Sequence, residues 1–100
     1  MKYYLSRSDR KNKKYKIQFV NEDTGRINSI HFGDNRYEDF TIHKDKSRRD
    51  KYDLRHQNEN WTSLSKSGTW AKYLLWNKPS LDNSIRDMKK RFNISIIKQF

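Results

Sequence analysis

Residues 15–32 read YKIQFVNEDTGRINSIHF, two apolar-rich runs around a polar turn. In YKIQFV, Tyr15, Ile17 and Phe19 fall on one face, and Lys16, Gln18 and Val20 fall on the other. That period of two marks a half-buried strand. NEDTGR follows as a turn, with Gly25 free to take a positive φ. INSIHF, residues 27–32, then supplies a second strand, and the pair predicts a β-hairpin.

Towards the amino terminus, KYYL (residues 2–5) can form a short first strand, and SRSDRKNKK (residues 6–14) reads as a polar basic loop. Residues 1–14 are therefore expected as a basic arm carrying that short strand, and residues 15–100 as a single small domain. On the other side of the hairpin, Gly33-Asp34-Asn35 signals a turn. YEDFTIH, residues 37–43, is read as a third extended segment, with Tyr37, Asp39, Thr41 and His43 on one face and Glu38, Phe40 and Ile42 on the other.

Asp45 or Ser47 can cap a helix through RRDKYDLRHQ, roughly residues 47–57, because their side-chain oxygens accept the free N–H groups of a first turn. Residues 58–68 read as irregular. In TWAKYLLWN, residues 69–77, Trp70, Tyr73, Leu74 and Asn77 share a helical face. Pro79 ends that segment. Ser80 is a candidate cap for LDNSIRDMKKRF, where Leu81, Ile85, Met88 and Phe92 form an apolar stripe. ISIIKQF is β-prone and either returns to the sheet or packs as a tail. The expected class is α+β, a small antiparallel sheet of about three strands followed by two or three helices packed on one face. The expected core is Tyr15, Ile17, Phe19, Ile30, Phe32, Trp70, Leu74, Ile85, Met88 and Phe92.

Composition narrows the partner. The chain has 23 Lys and Arg against 12 Asp and Glu, a formal charge of +11, and such a field attracts polyanions. Hydrophobic residues make up only 32%, so the fourteen aromatics must supply much of the core. With no cysteine, disulfides and thiolate metal sites are excluded. MKYYLSRSDRK lacks the apolar run of a signal peptide, and no stretch is apolar enough to span a membrane. The expected location is the interior of a cell, or a particle assembled there.

Histidines and acids crowd residues 31–45, which raises metal and acid–base chemistry. His31, His43 and His56 are spaced twelve and thirteen apart, and no H-x-x-x-H pair places two ligands on one helix turn. Strand faces could still bring His31, His43 and an acid together. A nuclease reading would combine His43 or His56 with Asp39 and a bound metal. Spacing establishes neither. The histidines are read as hydrogen-bonding or surface groups, with no catalytic residues, metal or cofactor expected.

The basic run carries the stronger signal. Lys44, Lys46, Arg48, Arg49, Lys51 and Arg55 fall in one short helical region, with Tyr52 on the face of Arg48 and Arg55. Lys13 and Lys14 belong to a second basic patch, and Arg86, Lys89 and Lys90 to a third. Each cation that reaches a phosphate releases counterions. The bland alternative is a solvated helix with ion pairs such as Lys46 with Asp50. Trp61, Trp70, Tyr73 and Trp76 could stack on unpaired bases, but in a chain this poor in apolar residues they are read as core. No base-reading motif is present, so contact with the backbone is expected.

The order H-F-G (31–33), Y-E-D-F-T-I-H-K-D (37–45), R-R-D-K-Y-D-L-R-H (48–56), E-N-W (59–61) and S-G-T-W-A-K-Y-L-L-W-N-K-P-S-L (67–81) resembles a family of small uncharacterised basic proteins from large double-stranded DNA viruses of algae and amoebae. The resemblance covers about residues 13–92, and the order and spacing of its short motifs carry it. It brings no catalytic residues. It implies a viral setting, in the virion or in the host cell at the virus factory, cytoplasm or nucleus. There a basic protein would bind nucleic acid, DNA before RNA, in genome packaging or at the replication site. The alternative is a minor virion structural protein held by acidic viral structural proteins.

Overall fold

Residues 15–32 do form a hairpin, and it is one half of a larger sheet. The computed structural model describes all 100 residues, with strands β1 (Lys2–Arg7), β2 (Lys13–Val20), β3 (Ile27–Asp34) and β4 (Ser95–Lys98). The helices are α1 (Phe40–His43), α2 (Lys46–Arg55), α3 (Ser67–Leu75) and α4 (Leu81–Phe92). The class is α+β. The strand order is β3-β2-β1-β4, antiparallel except that β4 joins β1 in parallel. No helix is long and apolar enough to cross a membrane.

Register explains the core. Tyr15 lies opposite Phe32, Ile17 opposite Ile30 and Leu5, and Tyr3 opposite Ile96, so these side chains share one face. Helices α3 and α4 cover that face with Trp70, Leu74, Leu75, Ile85 and Met88. Trp70 is 0% exposed, sits 5.1 Å from the Tyr3 ring and donates its indole N–H to the Leu64 carbonyl at 2.9 Å. Each large side chain buried here contributes roughly 1.5–3 kcal/mol. The other face carries Tyr4, Lys16, Gln18, Ser29 and His31, and no helix packs on it.

Four expectations are corrected. The short first strand expected at residues 2–5 is present as β1, residues 2–7, but it is an interior strand rather than part of an arm, and the turn between Arg7 and Lys13 lies outside the sheet. Tyr3 and Leu5 alternate into the core at 4% and 0% exposure, a pattern that the surrounding cations disguise. The expected sheet of about three strands has a fourth, because the carboxy-terminal run takes the first of its two expected courses and returns to the sheet, in parallel with β1, burying Ile96. Residues 37–43 are not a third extended segment. Asp39 accepts hydrogen bonds from the Thr41 N–H and hydroxyl, caps a single helical turn and swings Phe40 into a buried position. Finally, Tyr15, Phe19, Ile30 and Phe92 only line the core, while Tyr3, Leu5, Leu75 and Ile96 fill it.

Helix caps follow the sequence signals. Asp45, rather than Ser47, caps α2 by accepting from the Ser47 and Arg48 N–H groups. Ser80 accepts from the Asn83 N–H at 3.1 Å to start α4. Gly33 belongs to the end of β3 rather than to a free turn. Its φ is +79°, and a Cβ there would lie 2.6 Å from Leu75 Cδ1. Only glycine lets α3 close on the strand at this point.

Candidate nucleic-acid interface

An open cleft of about 1000 Å³ lies between the start of β2, the end of β3, the helix α2 and one face of α3. Two chain segments that are distant in sequence bring cations to it. The start of β2 places Lys13 and Lys14 there, and α2 places Arg48, Lys51 and Arg55 there. The three α2 residues follow at i, i+3 and i+7, so one stripe of the helix faces the cleft.

The acids of the cleft are mostly engaged already. Asp34 takes a two-pronged bond from the Arg36 guanidinium at 3.0 and 2.8 Å. Those bonds hold its carboxyl well below the usual range, at about 2. Asp39, 2% exposed, receives the Lys14 ammonium at 2.5 Å. Glu59 contacts the ring of His56. Glu38 alone is an exposed carboxylate with no partner. By contrast, Lys13, Arg48, Lys51 and Arg55 are exposed, and none forms an ion pair or a side-chain hydrogen bond. Among the groups without a partner, four cations stand against the single Glu38 carboxylate, so the uncompensated charge of the cleft is positive.

A column of four rings backs α2. His56, Tyr52, Trp76 and His43 succeed one another with centroid separations of 4.3, 4.4 and 5.4 Å. The Tyr52 and Trp76 rings are nearly parallel, at 4°. Burial, then the nearby Glu59 and Asp53 charges, pushes the Tyr52 phenol above its ordinary value, so it stays a neutral packing group. Two further ties anchor the helix. Lys72 on α3 donates to Asp53 at 2.7 Å, and the Arg49 guanidinium lies 5.0 Å from the centre of the Phe40 ring.

The other expected contacts go elsewhere. Lys44 closes α1 in a left-handed conformation, φ 59°, and donates to the Pro79 carbonyl at 2.8 Å. Lys46 is exposed at the start of α2, outside the cleft. Arg49 faces Phe40 and Asp50. Arg86, Lys89 and Lys90 project from α4, away from the cleft lining, with Arg86 bonded to Asn83 at 3.2 Å. Of the twelve residues, six line the cleft: Lys13, Lys14, Arg48, Lys51, Tyr52 and Arg55.

His31 and His43 do not converge. His31 bonds the Ser8 hydroxyl at 2.7 Å, His43 accepts from the Asp45 N–H at 2.9 Å, and no group of three or more His, Asp or Glu side chains is placed to hold one metal ion. The indoles are packing groups: Trp70 is core, Trp61 lies under the Lys72 ammonium, and Trp76 is in the column. Sequence reading did not single out Tyr37, which lines the cleft at 65% exposure. The small residues opposite α2, Gly33, Gly68 and Ala71, were equally silent. The only signal for them was glycine beside a predicted strand end and helix start.

Among known families, a model described as a family of unknown function, DUF5754, matches residues 3–56. That span runs from β1 to the end of α2 and holds every cation of the cleft, whereas the α3 wall lies beyond it. No curated protein and no solved structure matches.

Proposed function

We propose, for a chain that belongs to the DUF5754 family, a non-catalytic role in which the cleft binds nucleic acid through its phosphates. One observation carries this reading: four exposed cations from two chain segments, Lys13, Arg48, Lys51 and Arg55, share one cleft and have no partner in the protein. Holding four like charges around a recess costs self-repulsion, and a polyanion relieves it. The overall charge of +11 adds long-range attraction to the same ligand. Genome packaging or the replication site of a large DNA virus is the setting we propose, with DNA ahead of RNA.

The test is binding of a fluorescent oligonucleotide at increasing salt. Four phosphate contacts give a log–log slope of roughly −3 to −4. Lys51→Gln and Arg55→Gln each weaken binding about three- to tenfold and lower the slope by about 1, without a change in thermal stability. The triple change of Arg86, Lys89 and Lys90 to Gln serves as comparison and costs less than Lys51→Gln with Arg55→Gln. No binding at low salt overturns the reading and leaves acidic viral structural proteins as the partner class. Greater loss in the α4 triple variant moves the interface off the cleft.

A further inference from the structure

The shape of the cleft bears on which nucleic acid fits. Resting on the reading above, we infer that the cleft prefers a single strand to a duplex, which favours the replication site over packaging of a duplex genome.

The first ground is concavity. A volume of about 1000 Å³ corresponds to a space about 10 Å on an edge. The major groove of a duplex is itself about 12 Å wide, and proteins read it by inserting a protruding helix or ribbon. Here the cationic stripe of α2 faces inward, across the recess from Gly68 and Ala71 of α3. A stiff duplex can present its phosphates to the exposed Arg48, Lys51 and Arg55 only along its outer surface, without following the cleft. A single strand bends at every nucleotide and can follow it. Gly33 and Gly68 let the Leu75 and Glu59 side chains pack directly against the backbone of this cleft.

The second ground is an exposed aromatic ring that stacks on no other ring. Tyr52 and Trp76 stack on each other within the ring column, so that face of each ring is already taken. Tyr37 also lines the cleft, yet it is 65% exposed and packs on no other ring. Its neighbour Arg36 holds its guanidinium 5.8 Å from the ring centre while bonded to Asp34. A tyrosine steadied on one side and open to a cationic cleft is a platform for an unpaired base. In a duplex every base face is already stacked, so this ring would contribute nothing there. Phosphates on Lys13 and α2 and one base on Tyr37 define a site for about four nucleotides of DNA or RNA.

The experiment compares fluorescence anisotropy of a labelled, non-self-complementary twelve-nucleotide DNA strand, the same sequence as RNA, and the DNA duplex, all at 150 mM salt. The strand is expected to bind at least tenfold more tightly than the duplex, and the two single-stranded arms show whether the ribose 2′-hydroxyl matters. Tyr37→Ala is expected to weaken single-strand binding about five- to tenfold and leave duplex binding and thermal stability unchanged, while Tyr37→Trp retains affinity. Equal or tighter duplex binding overturns the inference but leaves the phosphate-binding reading standing. So does a Tyr37→Ala variant that binds the strand normally. Binding to none of the three, at 150 mM and again at low salt, overturns both.

Discussion

The sheet with α3 and α4 and the segment Asp39–His56 are built on different principles. In the first region ten buried residues form one continuous apolar cluster. In the second, Phe40 and Tyr52 are buried but belong to no such cluster. That segment is held by the Lys14–Asp39 ion pair, the Tyr52–Trp76 stack, the Lys72–Asp53 pair and the Lys44 bond to Pro79. Two of its polar atoms, His43 Nε2 and Arg49 Nε, are buried without a partner. Apolar burial is non-directional and cooperative, whereas a few polar ties hold a position but open more readily. Fold and ligand contact are divided accordingly. The stable layer carries the fold, and the lightly tied segment carries three of the four free cations.

The largest effect is expected at Trp70. Trp70→Ala removes an indole from the centre of the core and costs about 3–5 kcal/mol. Chemical denaturation is expected to show a lower midpoint, and hydrogen exchange to show lost protection in both regions together. If α2 keeps its protection while the sheet loses it, the segment does not depend on the apolar layer for its own stability.

Lys14→Met separates the two regions. It leaves the Asp39 carboxylate buried without its counter-charge, and losing one partner of such a pair costs about 3 kcal/mol. Because Asp39 also caps α1, the loss is expected to be local. Amides of α1 and α2 should exchange faster while those of β1 and β2 stay protected. Uniform loss across the molecule would merge the two regions into one cooperative unit.

The smallest effect concerns His31, on the uncovered face of the sheet. Burial, then the Arg10, Lys16 and Lys13 charges, lowers its pKa, with Asp9 opposing them. A histidine that is harder to protonate when folded than when unfolded contributes stability above its ordinary value near 6.5. That contribution is lost as pH falls through the depressed folded value. Melting temperature is therefore expected to fall slightly on acidification below about pH 6.5, and His31→Gln to flatten that portion of the profile.

The stable layer was far more legible in the sequence than the lightly tied segment. Alternation at Tyr15, Ile17 and Phe19, and the stripe Leu81, Ile85, Met88 and Phe92, are local patterns with one good solution each. Residues 37–43 also alternate, and that pattern misled. Local capture of the Thr41 N–H by Asp39 outweighed strand propensity, since no neighbouring strand lay beyond β3 to reward extension. Strand β1 was half hidden because two core residues sit among cations, and β4 was left open because its partner is ninety residues away. The basic helix could be read from composition. The cleft could not, because it exists only where Lys13 and Lys14 meet α2, and no pattern along the chain encodes that approach. Nor could the sequence show that Arg86, Lys89 and Lys90 stand apart from it.

The pairing of Lys2 with Ser95 has a consequence for how the molecule is made. The hairpin of β2 and β3 needs only neighbouring residues and can close within microseconds of leaving the ribosome. Strand β1 can join it soon afterwards, but its other edge waits until the chain has grown from Asp34 to Ser95 and beyond. Until then that edge offers unpaired N–H and C=O groups beside the exposed rings of Tyr3 and Tyr4, the kind of template on which copies of a chain pair with one another. The four residues of β4 thus act as a latch on nascent chains, and folding yield should depend on their timely arrival.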